Sequence, residues 1–119
     1  MAGSQTRQSE LIASLLKPEV YPHPVESLEL IETHISWVIL TGVYAYKIKK
    51  SLKLDFLDFS TLRKRRYYCE EELRLNRRMA PQLYLEVVPI CGSERSPEVA
   101  GEGRAIEYAL KMHQFRQIS

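Results

Sequence analysis

Val43-Tyr44-Ala45-Tyr46-Lys47-Ile48-Lys49-Lys50 decides how this chain of 119 residues is read. Aromatic and β-branched residues crowd its first half, so the stretch reads as a β-strand suited to a pleated, half-buried surface. Side chains alternate along a strand, which puts Ala45, Lys47 and Lys49 on one face and Tyr44, Tyr46 and Ile48 on the other. A small residue followed two positions later by lysine leaves space beside an ammonium group. The same pattern also describes a solvated sheet edge, where lysine guards against edge-to-edge aggregation.

Upstream, Thr41-Gly42 makes a tight turn into this strand. Residues 35–40 are strongly strand-forming, and a weaker alternation marks a strand over residues 27–31. Residues 28–49 therefore read as a three-stranded antiparallel meander, with Glu32-Thr33-His34 as the turn between its first two strands. Three prolines make residues 18–24 an extended connection, and His23 within it reads as loop. Leu11, Ile12, Leu15 and Leu16 recur at helical spacing, giving a short helix from Gln8 with Ser9 as N-cap. Residues 1–5 are expected to fray.

Downstream, residues 51–59 read as a loop pinned by Phe56 and Phe59, and Ser60 caps a long helix over residues 61–79 that Pro81 stops. One apolar stripe holds Leu62, Cys69, Leu73 and Ala80; the next holds Tyr68, Leu75 and Met79. Glu72 falls on the second stripe and faces the protein, whereas Glu70 and Glu71 point elsewhere. Its partner could be Lys47, or an arginine such as Arg65 or Arg66. Residues 83–90 form a fourth strand, residues 92–103 a hairpin loop, and residues 104–112 a fifth strand. The expected fold class is α+β: a five-stranded antiparallel sheet with one long helix between strands three and four, and a short N-terminal helix. Residues 1–24 form the helix and proline-rich connection, and residues 25–119 the sheet domain.

Composition narrows the function classes. A net charge of +2 does not by itself imply a nucleic-acid or membrane partner. Arg63, Lys64, Arg65, Arg66, Arg74, Arg77 and Arg78 cluster on the long helix, but Glu70, Glu71 and Glu72 interrupt them, so no nucleic-acid partner is expected. Cys69 and Cys91 lie in unlike contexts without C-x-x-C spacing, which implies reduced thiols and a cytoplasmic location. No apolar run approaches the roughly 18 residues of a membrane span, and no metal-ligand spacing occurs.

Ala45-Tyr46-Lys47 resembles the V-A-I-K strand of protein kinases, whose lysine holds the α- and β-phosphates of ATP while a helix glutamate holds the lysine. The element order also resembles the small nucleotide-binding lobe of the protein-kinase-like fold, with Lys47 and Glu72 at the positions of its ion pair. Three further stretches extend the likeness: Glu32-Thr33-His34-Ile35-Ser36-Trp37-Val38, Leu54-Asp55-Phe56-Leu57-Asp58-Phe59-Ser60-Thr61-Leu62 and Cys69-Glu70-Glu71-Glu72-Leu73-Arg74-Leu75-Asn76-Arg77-Arg78. With Tyr44 to Lys50 they are similar to the N-terminal part of a bacterial group of aminoglycoside phosphotransferase-like proteins. Some members carry a P-loop ATPase or kinase domain further along. The similarity runs from about Tyr21 to Phe115.

That resemblance implies an ATP-binding lobe of a small-molecule kinase. Lys47 would bind the nucleotide phosphates and Glu72 would orient it. The turn Thr33-His34-Ile35-Ser36 would lie over the phosphates; alternatively its hydroxyls merely satisfy backbone groups and His34 is simply solvated. Ala45 and Val38 would floor the adenine pocket, and Lys111, Met112 and His113 would be the hinge whose backbone meets the adenine edge. The departure from the family lies beyond the hinge. No His-Gly-Asp-type loop follows to supply a base, and no later aspartate supplies a Mg²⁺ site, so Mg²⁺ is expected only with a second lobe. Asp55 and Asp58 precede the helix on the lysine's own lobe and cannot substitute. The chain is thus expected to be catalytically incomplete: a fragment, a truncated reading frame or a separately expressed lobe. Its expected partners are a nucleotide, the missing C-terminal lobe or a downstream domain, and a second copy through the exposed cleft face. The alternative function is a non-catalytic protein-binding module.

Overall fold

The computed structural model describes residues 2–114, with side chains from Gln5 onward. Met1, where fraying is expected, and Phe115 to Ser119, where the resemblance ends, lie outside the described residues. Helix α1 spans Ala2–Ser14. It begins well before Gln8 because Ala, Gln and Arg are good helix formers, and Ser9 sits inside it rather than at its cap. Gln8, Leu11 and Ile12 form its buried stripe, which Leu15 continues just past its end. Pro18–Val20 closes into a single 3₁₀ turn, after which Tyr21 is buried and donates its hydroxyl to the Leu15 carbonyl at 2.8 Å.

The strands are β1 (Glu29–Glu32), β2 (Ser36–Leu40), β3 (Tyr44–Lys49), β4 (Lys53–Leu54), β5 (Leu57–Asp58), β6 (Tyr84–Gly92), β7 (Pro97–Val99) and β8 (Ala105–His113). Helix α2, Leu62–Arg77, stands between β5 and β6. The main sheet is antiparallel and half-barrel in shape, in the order β1-β2-β3-β8-β6-β7. The expected class α+β describes these elements, but the five-stranded sheet with the helix between strands three and four is wrong. The main sheet has six strands, and the helix follows the fifth strand of the chain.

Two local features account for the miscount. The segment read as a hairpin loop folds Pro97–Val99 back on β6, pairing Val99 with Ile90 and burying Pro97 and Val99 on either side of exposed Glu98. The segment read as a plain loop holds the β4–β5 hairpin, whose two-residue strands are too short to show a period. Phe56 at that hairpin's turn is 85% exposed and pins nothing, whereas Phe59 is buried. The cap of α2 is Thr61, which accepts from Lys64 N–H at 3.1 Å; Ser60 bonds Asp58 instead.

Alternation along β3 divides the molecule. Tyr46 and Ile48 join Leu11 and Ile12 of α1, Leu15 just after it, Trp37 and Ile39 of β2, and Val88 and Ile90 of β6 in one apolar cluster. The opposite face, carrying Ala45, Lys47 and Lys49, meets the carboxylate of α2. Cys69 is the fully buried apolar residue of that helix, and Leu75 and Met79, expected to pack, are 50% and 87% exposed. Both cysteines are free and buried. Burial pushes the Cys69 thiol up to about 11, so it is protonated and inert at neutral pH.

One buried polar network was not foreseen. Glu107 of β8, 1% exposed, accepts from Arg65 Nε at 2.9 Å and from Gln8 Nε2 at 2.9 Å. Gln8 Nε2 also donates to the Lys49 carbonyl at 3.0 Å, and its Oε1 accepts from Ser51 N–H at 2.7 Å. Arg65 reaches on to the Phe59 carbonyl at 2.8 Å. The register aligns Lys47 with Leu110, so Glu107 lies past the end of β3, where groups from both helices can reach it.

A candidate anion site between strand and helix

Lys47 Nζ donates to Glu72 Oε2 at 3.0 Å, and Lys49 Nζ donates to Glu72 Oε1 at 2.7 Å. The strand period brings both amines to one face, and the helical azimuth of Glu72 brings its carboxylate over them. Each carboxylate oxygen thus serves a different lysine. The amines differ in their surroundings: the Lys49 side chain is 7% exposed and lies 4.9 Å from the centre of the Phe59 ring, whereas the Lys47 side chain is 29% exposed. Burial pushes the Glu72 carboxyl up, but the hydrogen bonds and charges of Lys49 and Lys47 outweigh it and hold the group below its ordinary value of 4.5. The triad is therefore two cations on one anion, with its spare positive charge on the more accessible amine.

Arg65 and Arg66, the other partners considered for Glu72, are engaged elsewhere. Arg65 pairs with Glu107, and Arg66 lies 3.5 Å from Glu70 and over the Tyr108 ring.

A depressed carboxyl pKa has a definite sign for stability. The contribution is present above the ordinary value of 4.5 and is lost as pH falls through the lower folded value. Exposed Glu32 and the half-buried Asp58 and Glu71 are depressed as well, by Lys50, Lys64 with Ser60, and Arg74. Comparing the wild type with Glu72→Gln isolates the buried group. The stability gap between them, read by urea unfolding, is expected to be full near neutral pH and to shrink as pH drops below about 4.5.

Beside Lys47 the same sheet face opens into a cleft of about 760 Å³ lined by Val38, Leu40, Ala45, Leu83, Tyr84 and Met112, among others. Val38 is the cross-strand partner of Lys47, and Ala45 that of Met112. Of the predicted site residues, the structure gathers Lys47, Glu72, Val38, Ala45, Met112 and His113 around this one face and its edge. Lys111 falls on the other face: it pairs with Tyr46, and its amine sits 4.2 Å from the centre of the Tyr44 ring. The predicted hinge lies within β8, where His113 N–H is donated to the Leu83 carbonyl at 2.8 Å.

The turn residues lie apart from the cleft. Thr33 and Ser36 bring their hydroxyl oxygens to 2.9 Å from each other, and Thr33 Oγ1 accepts from the Ser36 and Ile35 N–H groups at 3.0 and 3.3 Å. His34 is exposed and borders a separate hollow with Gln8, Trp37 and Lys50. His23, read as loop, places Nε2 2.7 Å from the Tyr46 hydroxyl. Among the described residues, no three His, Cys, Asp or Glu side chains converge to hold a metal ion, and no helix is long and apolar enough to cross a membrane.

Comparison with known proteins adds relatives but no activity. Over 68 residues, 55% of the chain, the sequence is 41% identical to uncharacterized proteins of Mycobacterium bovis and Mycobacterium tuberculosis. The chain spans 14% of the length of these curated relatives. No protein-family profile and no solved structure matches it.

Proposed function

We propose that this chain is the nucleotide-binding part of an aminoglycoside phosphotransferase-like small-molecule kinase, with Lys47 as the group that meets the phosphates of ATP and Glu72 as the group that aims it. The observation that carries this reading is the 3.0 Å contact between Lys47 Nζ and Glu72 Oε2, which joins a central strand to a helix. Phosphoryl transfer rests on positioning and charge neutralisation, and a braced, partly exposed ammonium group is suited to both. The chemistry of the donor set fits the ligand: a net positive triad for a polyphosphate, beside an apolar cleft walled by Val38, Ala45 and Met112 for a planar base. Bound ATP would supply the transferable phosphoryl group. A catalytic base and Mg²⁺ ligands belong to further polypeptide in this proposal, as do the acceptor pocket and the choice of acceptor. A cytoplasmic setting fits the free thiols.

The test is calorimetric titration of ATP into the wild type and into Lys47→Ala. Loss of one charge-assisted phosphate contact is expected to weaken binding about tenfold to one hundredfold. Equal affinity in the two proteins would remove Lys47 from the site. A second reading, a non-catalytic protein-binding module, is favoured by the exposed apolar side chains Phe56, Tyr67, Leu75 and Met79. It predicts no nucleotide binding by either protein.

A further inference from the structure

We propose that Lys49 is a positioning residue for the Lys47 site: it holds Glu72 from the buried side, so that Lys47 can turn its ammonium group to an anion without stranding the carboxylate. The inference rests on the reading of Lys47 as the phosphate-binding group. A half-buried carboxylate that loses its only partner is costly, so a single lysine bound to Glu72 would resist leaving it. Here the two oxygens are divided between two amines, and the shorter contact, 2.7 Å against 3.0 Å, belongs to the more buried one.

Lys49 is also fixed from three directions. Its amine meets Glu72 and the Phe59 ring, and its carbonyl accepts from Gln8 Nε2 of α1 at 3.0 Å. Gln8 in turn accepts from Ser51 N–H at 2.7 Å, which fixes the backbone two residues beyond Lys49. Lys47 has one such side-chain contact, and it is the more exposed of the pair. Removing Lys49 would leave Glu72 with Lys47 alone, which draws the Lys47 amine away from an incoming anion.

Two measurements test this on the whole chain. The first titrates the Glu72 carboxyl by carbon NMR in the wild type, Lys47→Met and Lys49→Met; the charged groups facing it are Lys47 and Lys49, with the Cys69 thiol nearby on α2. The Glu72 pKa is expected to rise further in Lys49→Met than in Lys47→Met, and an equal or reversed order overturns the assignment. The second measures tripolyphosphate affinity in a double-mutant cycle. Lys49→Met is expected to weaken binding about tenfold in the wild-type background and to change it less than about twofold in the Glu72→Gln background, because Lys49 acts through Glu72. An undiminished loss in Glu72→Gln would make Lys49 a direct anion contact and overturn the positioning role. Lys49→Arg keeps the cation and is expected to recover affinity to within about threefold of wild type, and failure to recover while folded counts against the proposal. If the wild type binds no tripolyphosphate, the phosphate reading of Lys47 fails, and the Glu72 titration still decides which lysine holds the carboxylate.

Discussion

Replacing Arg65 with alanine is expected to destabilise the chain by about 3–5 kcal/mol, the cost of leaving a buried charge without its partner. Glu107 is 1% exposed and Arg65 7% exposed in side-chain terms, so losing the guanidinium leaves a carboxylate held away from bulk water. Arg65 also supplies the hydrogen bond to the Phe59 carbonyl, which holds the end of the β4–β5 segment against α2. What remains for Glu107 is the Gln8 amide at 2.9 Å on one oxygen and the Tyr108 N–H at 3.2 Å on the other, neutral donors that supply no charge. Urea unfolding at neutral pH measures the loss. The double change Arg65→Met with Glu107→Leu removes both charges and is expected to regain most of the stability, because an ion pair replaced by apolar groups is often neutral or better. An Arg65→Ala protein within about 1 kcal/mol of wild type would show that the network relaxes or hydrates instead.

Glu72→Ala should be the next most damaging change, with an expected loss of about 2–3 kcal/mol. It strands Lys49, whose amine sits 7% exposed beside the Phe59 ring, and releases Lys47, which is 29% exposed and can reach water. The cost therefore lies mainly with the buried lysine. Glu71→Ala is the matched control, since Glu71 pairs with Arg74 on the solvated side of the same helix at 2.9 Å. That pair sits in solvent at i,i+3 spacing, so its loss is expected to cost far less than the loss of Glu72. If the two substitutions cost the same, Glu72 is no more structural than its neighbour.

How much of this could be read from the residues depends on which forces act locally. The meander was legible because strand alternation and the Thr41-Gly42 turn are short-range signals; Gly42 has φ of 102°, where an added Cβ would meet Glu26 at 2.7 Å. The shared face of Ala45, Lys47 and Lys49 follows from the same alternation. Lys49 was visible on that face, yet nothing in the sequence distinguishes a buried lysine from a solvated one two positions earlier.

β7 was hidden because Pro97 sits among Gly, Ser and Glu, a composition that reads as loop, and only its pairing with β6 makes it a strand. The polar network escaped notice for a different reason. Glu107 looks like an outward-facing charge on an alternating strand, and its partners are 42 and 99 positions away in the chain. The helix stripe containing Leu75 and Met79 misled in the opposite direction, since helical period marks a face but not what covers it.

The most direct test of the central claim, that the ammonium group of Lys47 is the contact for a polyphosphate, is nitrogen NMR of the lysine side chains during titration with tripolyphosphate. The Lys47 Nζ signal is expected to move first and saturate, with Lys49 following only slightly through the shared carboxylate. A Lys47 signal that stays still while the exposed Lys64 signal moves would contradict it.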